Sequence, residues 1–113
     1  MRIFTLVVAG LLIAALLTVS CASTTNVSTI LGDPQKYAGQ QVTVKGTVAD
    51  TVWVAQLNKG AYQIDDGTGT IWVVTSQPPP QMSATVTSQG TVENAITIGD
   101  HVIGTHVSEQ TRS

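Results

Sequence analysis

The 113-residue chain is poor in the groups that most chemistry needs. It has a single cysteine, so no disulfide can close within it, and any domain it forms must be held by a packed core. Charged residues make up only 11% of it and aromatic ones 4%. With 5 basic residues against 7 acidic ones, it lacks the positive surface that neutralises phosphate. That counts against tight nonspecific binding of nucleic acid and against a polybasic membrane patch. There is no Gly-Lys-Ser/Thr phosphate loop, no His-Glu-x-x-His helix and no Gly-x-Ser-x-Gly elbow. His101 and His106 would face opposite sides of a regular strand and could not jointly hold a metal. Asp65-Asp66 resembles a carboxylate pair, but neighbouring strand residues diverge, and the Gly67 that follows marks an ordinary acidic turn. The expectation is a non-enzyme with no cofactor and no metal.

What the sequence does contain begins at its N-terminus. Arg2 supplies a small positive region, Ile3 to Val19 an uncharged apolar run and Ser20 a small residue before a cleavage point, which is the layout of a secretory signal. The string Leu17-Thr18-Val19-Ser20-Cys21 resembles a bacterial lipobox, whose cysteine is acylated through sulfur and becomes the first mature residue. The match departs from the commonest pattern, because Thr18 occupies the usual leucine position and Leu17 lies one place further out. An ordinary cleaved signal and an uncleaved anchor compete with this reading; the anchor is the weaker, since the run falls short of the roughly 20 apolar residues that span a bilayer. The lipobox reading divides the chain into a signal peptide (1–20), a lipidated Cys21 with a short polar tether (21–27) and one small domain (28–113). Without Arg2 the mature chain has 4 basic residues against 7 acidic, a net charge of 4 minus 7, or −3. Its expected place is extracytoplasmic, on a bacterial membrane through acylated Cys21. Ala22 is not an inner-membrane-retaining aspartate, so the outer membrane is expected where the source has one.

Beyond the tether the hydrophobic period changes. Val27, Ile30, Leu31 and Tyr37 fall at helical intervals, and Asp33-Pro34 with Gly39 supplies a cap, a first-turn proline and a terminating glycine. A short, interrupted helix is predicted over Ser28 to Ala38. From Val42 the period is two: Val42, Val44, Val48, Val52 and Val54 share one parity, and Gly46 marks a bend in a long strand. Strands are predicted at Ala61 to Asp65 and Thr70 to Thr75, joined by the turn Asp66-Gly67-Thr68-Gly69. Pro78-Pro79-Pro80 ends the third strand. A fourth runs from Thr85 to Val92, and its Val86-Thr87-Ser88-Gln89-Gly90-Thr91-Val92 matches Val42-Thr43-Val44-Lys45-Gly46-Thr47-Val48 at five positions. Ile96 to Gly99 leads into a last strand, His101 to Glu109, with Gly104 breaking its alternation.

Five strands, two with central glycines, and a little helix are the inventory of an all-β, five-stranded Greek-key barrel. The stretches Asp33 to Gly46 and Tyr62 to Val74 resemble small bacterial OB-fold lipoproteins, of the kind labelled nucleic-acid-binding or tRNA-anticodon-binding-like. The resemblance covers about Ile30 to Val92 and implies an OB-fold barrel behind the helical signal peptide. Its motifs belong to the fold rather than to one function.

OB barrels bind across their second and third strands and adjoining loops. If Ile71 and Val73 point inward, Trp72 points outward, and by the parity of the first strand so does Trp53. Trp72, Gln63 and Lys45 are then expected to line one shallow groove, with Trp53 and Lys59 at its rim. A tryptophan face stacks a base or a sugar, or anchors a protein partner. The competing reading packs both tryptophans over the barrel or under the N-terminal helix. The expected function is a membrane-anchored binding module that docks a protein of the cell envelope. The alternative is capture of single-stranded nucleic acid or another extended polymer, which the face tryptophans favour and the net charge opposes. An OB-fold haem chaperone is set aside, because neither His101 nor His106 has the His-x-x-x-Tyr setting of that family.

Overall fold

The computed structural model describes residues 23–113, so the expected signal segment 1–20 and Cys21 lie outside the described residues. Among the described residues no helix is long and apolar enough to cross a membrane. The helical stretch is broken in two, α1 (Val27–Gly32) and α2 (Pro34–Tyr37), because Asp33, the residue before Pro34, leaves the helical region (φ −150°, ψ 69°) and caps Lys36 N–H with its own carboxylate. Seven strands follow: β1 (Gln41–Val54), β2 (Lys59–Asp65), β3 (Thr70–Thr75), β4 (Thr85–Glu93), β5 (Ile96–Ile98), β6 (His101–Ile103) and β7 (His106–Arg112). Five of them close a barrel in the order β1-β2-β3-β7-β4, and β5 and β6 form a separate hairpin. The pairing is antiparallel except between β3 and β7, which run parallel. The predicted final strand, His101 to Glu109, is therefore corrected: Ile96 to Ile103 form an inserted hairpin, and the fifth barrel strand, His106 to Arg112, follows after Gly104 and Thr105.

The similarity between the β1 and β4 sequences has a geometric cause. The two strands pair antiparallel with Val42 opposite Gly90 and Gly46 opposite Val86, an approximate two-fold arrangement in which each glycine faces the other strand's valine. Each glycine also sits where a third strand crosses. A Cβ at Gly46 would lie 2.3 Å from the Asp65 carbonyl oxygen, and one at Gly90 only 2.0 Å from that of Ser108. No side chain fits at either bend, so the two valine-rich strands share one solution to the same steric demand.

The barrel interior is filled by Val42, Val44, Val48, Tyr62, Ile64, Ile71, Val73, Val86, Val92 and Val107. Helix α1 closes one end by inserting Val27 and Ile30, both fully buried. The β2–β3 turn holds it there: Asp66 Oδ2 accepts from Val27 N–H (2.9 Å) and Thr68 Oγ1 from Ser28 N–H (3.1 Å). The barrel's contacts begin earlier still, since Thr25 N–H donates to the Thr43 carbonyl (2.8 Å), inside the stretch read as a tether.

A bulge in β1 changes which residues face inward. Val48 pairs with Ile64, but the register then skips Ala49, so that Thr51 pairs with Tyr62 and Trp53 with Gly60. One extra residue inverts a period of two. Val52 and Val54, expected to face inward with Val42, instead share the outer side with Ala61, and Val54 packs in a second cluster of Ala61, Val74, Ile98 and Ile103. The β5–β6 hairpin therefore lies against the outer face of β2 and β3.

Candidate functional site

The cross-strand registers place a row of side chains on the outside of the barrel. Asp50 pairs with Gln63, Gln63 with Trp72, Trp72 with His106 and His106 with Glu93, so the row crosses β1, β2, β3, β7 and β4 in turn. Val73 and Val107 are core residues on the inner side, which fixes Trp72 and His106 as outer neighbours. The hairpin leaves the barrel at Glu93 and returns at His106, the pair that ends the β4–β7 ladder. Ile98 and Ile103 bury its inner face, and Trp72 is half-buried against the same cluster.

Two expected orientations fare differently. Trp72 is on the outer face beside Gln63, as its parity predicts, but partly under the hairpin rather than on an open surface. Trp53 is corrected to the inner parity. Its ring lies over Gly60, where a Cβ would come within 2.7 Å of Trp53 Cε3, and the same register row continues to Thr75. The two tryptophans thus lie on opposite faces of the sheet and do not line one groove. Lys45 is exposed on the part of β1 that pairs with Thr87 of β4, five residues before the Asp50 that faces Gln63. At about 3.3 Å per residue it stands roughly 16 Å along the strand from the Gln63–Trp72 pair. Lys59 is half-buried, opposite Val54 on the outer side near the β1–β2 turn. Of the five expected ligand-facing residues, only Gln63 and Trp72 are cross-strand partners on one face.

The buried polar chemistry is elsewhere. At the barrel end opposite α1, Glu109 points inward with a side chain only 2% exposed. It accepts from the Tyr62 hydroxyl, from Ser88 Oγ (2.7 Å) and from Arg112 through Nε (3.1 Å) and Nη2 (3.0 Å). Arg112 also donates to the Pro78 carbonyl (3.1 Å) and Thr75 Oγ1 (3.2 Å), with its guanidinium 5.2 Å from the centre of the Tyr62 ring. Glu109 and Arg112 would face opposite sides of a regular strand. A second bulge, between the partners of Gln89 and Gly90, turns both inward. Burial pushes the Glu109 carboxyl up, but the hydrogen bonds from Arg112, Tyr62 and Ser88 outweigh it and hold the group below its ordinary range. Burial, then the bond to Glu109, raises the Tyr62 hydroxyl well above its usual value. Every member of this cluster has a partner, and it closes the barrel end.

Asp66 is likewise structural. Burial pushes its carboxyl up, but the hydrogen bonds from Thr68 and Val27 more than offset this and lower it. Among the described residues no group of three or more His, Cys, Asp or Glu side chains could hold a metal ion. A pocket of about 240 Å³ lies between β1, β4 and β7, lined by Thr43, Thr87, Gln89, Thr111, Arg112 and Ser113. It is remote from the Gln63–Trp72 pair, and its one cationic side chain is already engaged by Glu109.

The residues that periodicity missed are His106, Glu93, Glu109 and Arg112, together with the exposed Val102 of the hairpin. Each depends on a bulge or an inserted hairpin, and alternation alone marks neither.

These features define a small closed β-barrel with a hairpin inserted between its fourth and fifth strands. No family model and no curated protein matches the chain. Among solved structures it is similar to "OBody AM3L09 bound to hen egg-white lysozyme", at 17% identity and a TM-score of 0.53, over 68% of this chain and 82% of that one. The likeness is one of fold.

Proposed function

We propose that this protein is a non-catalytic OB-fold module, held on the outer side of a bacterial membrane by acylated Cys21, that docks a protein of the cell envelope. The docking surface is the rim made by the β1–β2 turn and the β5–β6 hairpin. The observation that carries this is where apolar surface is left open: Val102 of the hairpin is 80% exposed and Leu57 of the turn 56%. The two segments meet where Gly99 lies against Val54. The hairpin lies over the outer face of β2 and β3 and the turn edges it, in the region through which OB barrels bind. The similar barrel is bound to a protein, lysozyme, in its own structure, which supports protein docking by a fold of this shape. A nucleic-acid track would need stacking faces and cations in one line, and here the tryptophans are on opposite faces and Lys45 stands apart.

The test is a photo-crosslinking residue at position 102, with one at position 45 as control, in cells of the source. The expected result is a discrete protein adduct from 102 alone, lost in a Leu57→Asp background. No adduct at 102, together with salt-sensitive quenching of tryptophan fluorescence by single-stranded oligonucleotide, would replace this reading with the polymer one. The anchor has its own test in the mass of membrane-extracted protein, which should lack residues 1–20 and carry acyl chains; a Cys21→Ser variant that fractionates unchanged would refute it.

A further inference from the structure

Strand β1 is paired on both sides only along its first half. Strand β4 accompanies it from Gln41 to Thr47, and the segment leading into β4 adds two more bonds, from Val48 N–H to the Ala84 carbonyl (2.9 Å) and from Ser83 N–H to the Val48 carbonyl (2.8 Å). From Asp50 to Val54 only β2 lies alongside. Which backbone groups point to the open side follows from Val48. Its N–H and C=O are both directed at the connector, so its pair with Ile64 is of the non-hydrogen-bonded kind, and the alternate residue of β2, Gln63, turns its groups toward β1. Past the skipped Ala49, Asp50, Val52 and Val54 therefore bond to β2, while Thr51 and Trp53 present their groups to the open edge. The Thr51 N–H agrees: it is taken by the carboxylate of its own neighbour, Asp50 Oδ1, at 2.8 Å. Among the described residues no backbone hydrogen bond reaches Thr51 or Trp53 from that side.

Open edges are usually blunted by lysine, proline or a twist, because a row of unpaired donors and acceptors is a template for another strand. This one reads Asp50-Thr51-Val52-Trp53-Val54, rich in β-branched and aromatic residues and charged only at its base. We propose that this edge of β1 pairs with the same edge of a second copy of the chain, antiparallel about a two-fold axis through Val52, so that two barrels share one continuous sheet. The pairing stands whether or not the rim docks a partner.

The backbone selects that register. With Thr51 opposite the second copy's Trp53, the two residues exchange both N–H···O bonds, and Trp53 with the second copy's Thr51 does the same, so every open group finds a partner. An axis through Thr51 or through Trp53 instead would set the remaining open residue against the bulged Ala49 or the turn residue Ala55, where the free edge has ended. The side chains agree with the backbone. On the outer side Asp50 lies beside the second copy's Val54, whose own cross-strand neighbour is Lys59. Asp50 and the second copy's Lys59 are then two strands apart, about 10 Å between backbones, a gap that a lysine and a carboxylate side chain close together. Within one copy neither residue is in an ion pair among the described residues. The exchange also releases Asp50, since Thr51 N–H then bonds to a carbonyl instead of its carboxylate. Because the axis is perpendicular to the sheet, both rims face the same way.

The test is disulfide trapping of the full-length chain in cells of the source, read on a non-reducing gel, with the native Cys21 as background. Val52→Cys puts two thiols at a non-hydrogen-bonded antiparallel site, where Cα atoms lie about 4.5 Å apart, within the span of a disulfide. Brief oxidation with diamide should convert most of it to a covalent dimer. Wild type should stay monomeric, and so should Lys45→Cys, an exposed position on the half of β1 that β4 already pairs. In the Val52→Cys chain, Asp50→Lys sets like charges together and should lower the dimer yield about fivefold, the size of one exposed ion pair, and adding Lys59→Asp should restore it. Neither exchange touches the barrel core, so thermal unfolding should be unchanged in both. Dimer from Val52→Cys at the wild-type level, equal dimer from Lys45→Cys, or a yield indifferent to the charge exchange would overturn the pairing. A disulfide from position 52 to a different protein, without the self-linked product, would also overturn it and give the edge to an extended segment of that protein.

Discussion

The substitution Glu109→Gln tests the reading that the barrel is closed at one end by a charge cluster withdrawn from water. It keeps the shape of the side chain and removes the charge that receives Arg112 Nε and Nη2 and the Tyr62 hydroxyl. Side-chain exposures of 2% for Glu109 and 16% for Arg112 mean that solvent cannot take over the lost bonds. Removing one partner of such a buried pair costs about 3 to 5 kcal/mol. Arg112 keeps the Pro78 carbonyl and Thr75 Oγ1, so the lower end applies. A loss of about 3 kcal/mol is a large part of the 5 to 15 kcal/mol typical of a domain. It should lower the melting temperature by roughly 12 to 24 °C at this size. Urea and thermal unfolding of residues 23–113 measure it. The double replacement Glu109→Leu with Arg112→Met removes both charges and should be less damaging than Glu109→Gln alone. The acid limb supplies a second readout. Because the carboxyl is lowered in the folded state, its stabilisation is present above the ordinary carboxyl range and is lost as the pH falls through the folded-state value. Glu109→Gln should therefore flatten the acid dependence of stability. A loss below about 1 kcal/mol with an unchanged acid limb would refute the cluster as a desolvated closure.

Asp66→Ala removes the acceptor of Val27 N–H and should cost about 1 kcal/mol, as loss of a helix cap does, with faster exchange of the α1 amides. Gly90→Ala places a methyl group 2.0 Å from the Ser108 carbonyl oxygen and should cost about 3 kcal/mol or more, read from the urea midpoint. Val102→Asp changes a residue 80% exposed and should move stability by no more than about 0.5 kcal/mol, read from the urea midpoint, while abolishing the adduct formed from a photo-crosslinking residue moved to position 57.

Much of the barrel was legible in advance because its signals are local. The valines at alternate positions, the turn Asp66 to Gly69, the triple proline after β3 and the break at Asp33-Pro34 each limit the backbone within a few residues, and the corresponding elements formed where these signals place them. The glycines of β1 and β4 were also visible as bends. Trp72 and Gln63 could be assigned to the outer face because β2 and β3 carry no bulge and keep their period. Trp53 could not: the register slip at Ala49 inverts every residue after it, and an alternating string reads the same with or without that slip. The same limit hid the pairing of Glu109 with Arg112, which a bulge in β7 makes neighbours.

The sequence by itself determined the alternation, the turns and the shortage of charge, and therefore a small valine-rich barrel without a basic track. Tertiary structure alone decided which side chains meet. Closing the sheet put His106 beside both Trp72 and Glu93, laid the β5–β6 hairpin over the face expected to be open, and buried Glu109 and Arg112 together at one end. The physical reason is that a strand's period sets only which side a residue faces, whereas register, bulges and the path of an insertion set what lies there, and those are fixed by contacts between segments far apart in the chain.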